Sequence, residues 1–287
     1  PVTRKVTNVS GAEQTFKASV NGLAGIAVVV SPAELTLQAG ETGTFQVTFT
    51  RTDAPLNTYV GGQLTWRRGG YNVRIPMVVQ PFVLGVPATV FGTGDPISYD
   101  VTFGYDGDFM AAARGLVPAT TFDGNVLDDP SDGPCNLNTP NAVLVPVTIP
   151  DGTTYARFSL FDDFTDGDDD LDLCVYLGTT QLGSSGSGTS AEEVNLLDPV
   201  AGDYTVVVQG WGTDGPDANF TLFNWLLGST AAGNMAVSAP TEATLGETGT
   251  IDLTFSELDP ATKYLGSVAY SGTDEMPNPT IVLVDTP

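Results

Sequence analysis

The 287 residues contain no histidine. Without an imidazole base, this stretch cannot assemble a serine or cysteine triad of the usual kind, nor the common zinc-protease motif. Paired carboxylates can still cleave glycosides, so the absence limits catalysis without abolishing it. Basic residues are also scarce: 10 Lys and Arg stand against 34 Asp and Glu, a formal net charge of −24. Such a chain repels phosphate backbones and anionic membranes, which excludes nucleic acid as a partner and makes divalent cations the natural counter-ions. Solubility, for example in a salty medium, is the plainer explanation of the same excess. No apolar run approaches the roughly 20 residues of a membrane span, and no signal peptide is recognisable. The chain begins at Pro1 inside a strand-like pattern and reads as an excised or processed fragment.

Long segments with apolar residues three and four apart are missing as well, so helices are not expected. What is present favours strands. Hydrophobic residues make up 41% of the chain, with 33 Gly and 20 Pro at turns, a composition that folds as strands joined by tight turns. An all-β architecture of two or three domains fits this length. The two cysteines, Cys135 and Cys174, are expected to pair in an oxidising compartment; two buried free thiols are the alternative. A bridge across that separation contributes about 4 kcal/mol in the chain-entropy account.

An internal repeat organises the ends. Gly40-Glu41-Thr42-Gly43-Thr44-Phe45-Gln46-Val47-Thr48-Phe49-Thr50 recurs as Gly246-Glu247-Thr248-Gly249-Thr250-Ile251-Asp252-Leu253-Thr254-Phe255-Ser256. In both, a turn feeds a strand of strict alternation, with Phe45, Val47 and Phe49, or Ile251, Leu253 and Phe255, facing one side. Val30-Ser31-Pro32 echoes Val237-Ser238-Ala239-Pro240, while Tyr59, Gly61 and Ile75 echo Tyr264, Gly266 and Ile281. The predicted domains are therefore 1–82, 83–217 and 218–287, the outer two related. Ownership of the Phe220–Leu227 strand is left open. The middle segment has its own strands at Ala156–Asp162, Leu171–Tyr176, Glu192–Leu196 and Tyr204–Gly210, a spacing that suits a sandwich or jelly roll.

Residues Val2 to Gly11, Val30-Ser31-Pro32, the Gly40–Thr50 strand, Leu64-Thr65-Trp66 and Val73-Arg74-Ile75-Pro76 together resemble the fibronectin type III-like domain that follows the catalytic domain of many subtilisin-like proteases. Arg67-Arg68 departs from the acidic turn usual there. Asp170-Leu171-Asp172-Leu173-Cys174-Val175-Tyr176 and Gly202-Asp203-Tyr204-Thr205-Val206-Val207-Val208 resemble a pre-peptidase C-terminal domain, a secreted sandwich found beside bacterial protease units. The resemblance implies tandem β-sandwiches, immunoglobulin- or fibronectin-like at the ends and jelly-roll-like in the middle. It also implies a secreted, extracellular location and attachment to an upstream protease catalytic domain that this chain does not contain.

The densest chemical feature is Asp162-Asp163-Phe164-Thr165-Asp166-Gly167-Asp168-Asp169-Asp170-Leu171-Asp172. So many carboxylates in one turn repel each other unless a cation lies among them, and calcium takes six to eight oxygens. Asp162, Asp166, Asp168 and Asp170 are the preferred candidate ligands, with Asp163 and Asp172 in reserve. A solvated acidic turn without an ion is the alternative. The frame is not that of an EF-hand, since the closing Glu and the flanking helices are missing. A second, looser acidic group, Asp123, Asp128, Asp129 and Asp132, flanks Cys135, and a Cys135–Cys174 bond would draw it toward the first.

Trp66 and Trp225 sit in apolar strand patterns and are expected in cores. Trp211, between Gly210 and Gly212, is the aromatic most open to a ligand. Ser184-Ser185-Gly186-Ser187-Gly188-Thr189 lacks the frame of a nucleophile elbow and reads as a loop. The leading expectation is a non-catalytic accessory region of a protease that stabilises the enzyme and helps it meet protein substrate or a cell-surface polymer. The alternatives are a carbohydrate- or surface-binding module and, last, an enzyme using Asp pairs.

Overall fold

A computed structural model describes residues 1–131 and 133–287. Two compact units result. One comprises 1–85 with 103–105 and 244–246; the other holds 86–102, 106–243 and 247–287.

In the first unit the strands Val2–Thr7, Thr42–Arg51 and Ile26–Ser31 form one antiparallel sheet, with Thr42–Arg51 in the centre. A second sheet orders Glu34–Leu37, Gln14–Gly22, Val60–Arg68 and Tyr71–Val79. The alternation read from the repeat sets which side chains fill the space between them. Phe45 and Val47 are buried while Thr44 and Gln46 are exposed, and Phe45 meets Trp66 edge-on with ring centroids 5.1 Å apart.

The repeated strand, Thr248–Phe255 in the second unit, has the same surroundings. It lies between Ile97–Phe103 and Met235–Ser238. Val30 stands opposite Val47 in the first copy and Val237 opposite Leu253 in the second; likewise Val2 faces Val47 and Ile97 faces Leu253. The facing sheets correspond too. Gly22 pairs with Gly62 in one and Gly115 with Gly266 in the other. A Cβ on Gly22 would come 2.7 Å from the Gly62 Cα, and one on Gly266 would come 3.0 Å from the Arg114 carbonyl oxygen. Both copies therefore need glycine where these strands touch, and each crossing is followed by a buried leucine, Leu23 or Leu116.

The second copy is interrupted. Its strands Thr89–Gly92, Ile97–Phe103 and Met110–Pro118 precede residues 119–228, and Met235–Ser238, Thr248–Phe255, Lys263–Ser271 and Thr280–Asp285 follow them. The intervening residues make a separate sandwich. One sheet orders Thr120–Leu127, Asp217–Gly228, Thr153–Ser159 and Glu193–Leu197; the other orders Val143–Ile149, Gly202–Gly212, Asp170–Leu177 and Thr180–Ser185. Phe158, Leu171, Leu173, Val206, Val208 and Leu222 fill the space between them.

Strand pairing thus divides the residues after 82 differently from the segments 83–217 and 218–287 read from the sequence. The Asp217–Gly228 strand belongs to the inserted sandwich, and residues 89–118 belong with 235–285. The physical reason is that Asp217–Gly228 is apolar on both faces. Phe220 and Leu222 enter the sandwich core, whereas Phe223, Trp225 and Leu227, with Tyr155 of the neighbouring strand, pack against Leu265 and Ile281 of the interrupted copy.

Candidate functional site

The acidic stretch leaves the Thr153–Ser159 strand, makes a single 3-10 turn at Asp162–Phe164 and enters the Asp170–Leu177 strand. This path scatters the carboxylates predicted to act together. Asp162 and Asp163 are exposed on the turn. The Asp166 carboxylate accepts the Asn219 backbone N–H at 2.7 Å and the Asn219 Nδ2, bonds that hold its pKa below the usual carboxylate value. Asp168 is exposed, and its backbone N–H donates to Asp214 Oδ2 at 3.2 Å.

Asp169, next in the chain, is buried. Its Oδ1 accepts the Asp214 N–H at 3.0 Å, while Oδ2 has no hydrogen-bond partner among the described residues. Burial, and then the charges of Asp214, Asp166 and Asp168, raise its pKa. Its carbonyl accepts Ser190 Oγ at 2.7 Å, tying the turn to the Ser-rich loop.

From Asp170 onward the alternation of a strand takes over. Leu171 and Leu173 enter the core, and Asp170 and Asp172 take the opposite side, half-buried. Glu192 joins this pair; it is buried, accepts the Ser187 N–H at 2.5 Å and is hydrogen-bonded by Ser185 Oγ. Burial, then repulsion from Asp170 and Glu192, push the Asp172 pKa up to about 6. Asp170 is raised by burial and by Glu192, and its Oδ1 is buried without a partner among the described residues.

The second acidic group is dispersed as well. Asp123 accepts Thr221 Oγ1 at 2.7 Å. Asp128 Oδ1 accepts the Thr213 N–H at 3.3 Å. Asp129 is engaged at both oxygens: one accepts the Ser131 N–H and hydroxyl, and the other accepts Gln209 Nε2 at 2.7 Å. Asp132 lies outside the described residues. Cys135 and Cys174 are joined by a disulfide, and with Tyr176 and Val207 they fasten this loop over the outer face of the sheet. Thr213 and Asp214 therefore form the turn that both acidic stretches meet. Among the described residues, no three carboxylate or thiol groups stand close enough to hold a metal ion by themselves.

Asp169, Asp214 and Glu192 were not among the predicted ligands. Asp169 lies within the acidic run and is marked there by nothing but its neighbours. Thr213-Asp214-Gly215 carries the signature of a turn, whereas Glu192 has no local signal, because only the sheet pairing brings it beside Asp172. Trp211 is half-buried; Trp66 and Trp225 are core residues, the latter donating its indole N–H to the Lys263 carbonyl at 3.2 Å.

Residues 1–79 match the fibronectin type-III domain family, in agreement with the two-sheet arrangement of the first unit. The first unit is thus fibronectin type III-like, and it is similar to a region of subtilisin-like proteases. The curated relatives are of that class: subtilisin-like protease SBT2.5 of Arabidopsis thaliana is 41% identical over 78 residues, 27% of this chain and 9% of the relative. Subtilisin-like protease SBT5.4 of the same plant is 40% identical over 80 residues, 28% of this chain and 10% of the relative. The chain thus spans about a tenth of their length. Among solved structures, the secreted serine protease VesC from Vibrio cholerae aligns with 78% of this chain and 46% of its own at 12% identity, with a TM-score of 0.25. Among the described residues, no helix is long and apolar enough to cross a membrane.

Proposed function

We propose that this chain is the non-catalytic accessory region of a secreted, bacterial subtilisin-like serine protease. The observation that carries the reading is the fibronectin type-III match over residues 1–79, shared at about 40% identity with subtilisin-like proteases. The absence of histidine places the usual triad outside these residues. The inserted sandwich is assigned as pre-peptidase C-terminal-like on the Asp170–Tyr176 and Gly202–Val208 sequences.

In this reading the chain works by packing rather than by bond chemistry. It stabilises the catalytic domain outside the cell and aids its encounter with protein substrate or a surface polymer. The test is to express the protease encoded upstream with and without this region. Loss of the region is expected to shorten the half-life of peptidase activity at elevated temperature while leaving initial kcat on a short peptide unchanged. An upstream coding sequence with no serine protease domain would refute the assignment.

A surface-polymer role finds support in an open groove of about 600 Å³ lined by Asp123, Asn125, Phe164, Asp166, Asn219 and Thr221. Carboxylate and amide groups beside a partly exposed ring suit hydroxyl-rich ligands. Retention on insoluble polysaccharide, abolished by Asp123→Ala, would favour the binding-module alternative.

A further inference from the structure

We propose that the turn formed by Asp166–Asp169 and Thr213–Asp214 binds a calcium ion through the carboxylates of Asp169 and Asp214. Two independent features point there. Asp169 is only 6% exposed, yet its Oδ2 has no hydrogen-bond partner among the described residues. A buried carboxylate is tolerated when it is paired or coordinates a metal. No basic side chain performs that service: the ion pairs among the described residues join Lys17 to Glu34, Arg157 to Glu193 and Lys263 to Asp285.

The second feature is the cradle around Asp214. A Cβ at Gly167 would lie 2.7 Å from both Asp214 Oδ1 and Asp214 Oδ2. Both oxygens are therefore laid against the Gly167 backbone, and a side chain there would have to displace the carboxylate. The Asp214 backbone N–H binds Asp169, and the Asp168 N–H binds Asp214. Each acid is thus held beside the other although their charges repel.

The donors are all oxygen. The chain has no histidine, and both cysteines are in the disulfide. That set selects a hard cation, and the irregular turn suits calcium rather than the strict octahedron of magnesium. Since no three carboxylates gather alone, turn carbonyls and water complete the shell. The ion would clamp the entrance of the Asp170–Leu177 strand to the turn before Asp217–Gly228, and so join the two sheets of the inserted sandwich at one end. The site deepens the stabilising role proposed above but does not depend on a protease parent, because ion binding is measured directly.

The experiment uses the full chain dialysed against EDTA and then titrated with calcium chloride by calorimetry and by thermal melting. Saturating calcium is expected to raise the melting temperature of the second unit by roughly 5–10 °C, the shift for ligand at a hundredfold over Kd. Asp169→Asn, Asp214→Asn and Gly167→Ala should each abolish the shift. The double variant Asp162→Asn/Asp163→Asn, on the exposed 3-10 turn, should keep it. Circular dichroism in EDTA confirms folding, since the Asn variants remove repulsion and should melt no lower than the ion-free parent. No binding heat at about 10 mM calcium, well above the affinities of extracellular modules, would overturn the proposal. So would an undiminished shift in Asp214→Asn, or loss confined to Asp172→Asn, which would put the ion in the Asp170, Asp172 and Glu192 group.

Discussion

The continuous fibronectin-like copy and the interrupted one share strand pairing and a glycine crossing, but almost nothing of their surface charge. Residues 1–85 carry 7 Lys and Arg against 4 Asp and Glu, whereas the interrupted copy, 86–118 with 229–287, carries 2 against 12. The contrast extends to equivalent positions. Lys5 stands opposite Thr44 in the first copy, and Asp100 stands opposite Thr250 in the second. Gln46, opposite Thr3, is replaced by Asp252, which accepts Ser98 Oγ at 2.5 Å. The inward row and the close backbone approach therefore specify the sandwich, while the outward row is free to set charge.

The largest expected effect breaks the shared inward row. Phe45→Ala and Ile251→Ala, at equivalent buried positions, should each cost about 3–5 kcal/mol. In calorimetry each is expected to lower the transition of its own unit and leave the other in place; movement of both together would show that the units do not melt separately. A smaller effect sharpens the contrast of charge. Raising sodium chloride from low to molar concentration should stabilise the acidic unit by about 1 kcal/mol through screening, with little gain for residues 1–85. The melting curves of the two units in a salt series check this.

The smallest effect isolates one carboxyl. In the fold Asp172 binds its proton more tightly than in the unfolded chain, because its pKa rises from 3.8 to about 6 beside Asp170 and Glu192. In calcium-free buffer this group therefore lowers the stability of the second unit as pH climbs from about 4 to about 6, with no further change above that. Asp172→Asn should flatten that part of the pH–stability profile. Asp166, whose pKa is lowered by Asn219, acts in the opposite sense and destabilises only as the pH falls below the ordinary carboxylate range.

Much of the fold was legible because a strand with one buried face advertises itself every second residue. Phe45, Val47, Ile251 and Leu253 were assigned inward from that period alone, and all four are buried. The pairing of Cys135 with Cys174 was legible because the chain offers no other thiol. What the period cannot supply is the partner of a strand. Ile97–Phe103 alternates as cleanly as any other, with Tyr99, Val101 and Phe103 buried, yet its neighbour Thr248–Phe255 lies beyond the whole inserted sandwich. The acidic run failed in the complementary way. Contiguity suggested a single cluster, but a 3-10 turn followed by strand alternation sends Asp162, Asp169 and Asp172 to three environments, completed by Asp214 and Glu192 from distant loops.

The interruption of the second copy also sets an order of assembly. The inserted residues leave and return at neighbouring points, where Gly115 N–H meets the Thr230 carbonyl at 2.9 Å and Ala119 N–H meets the Lys263 carbonyl at 2.9 Å. Closing a flexible loop of that length costs about (3/2)RT ln n, roughly 4 kcal/mol. Once residues 119–228 have folded, their ends are already side by side and most of that cost has been met within a structure with its own core. During synthesis the early strands of the second copy must wait, exposed, for partners more than a hundred residues away. The inserted sandwich then acts as an internal template that delivers the two halves to each other, so slowing its folding should delay the host copy without altering a single contact inside it.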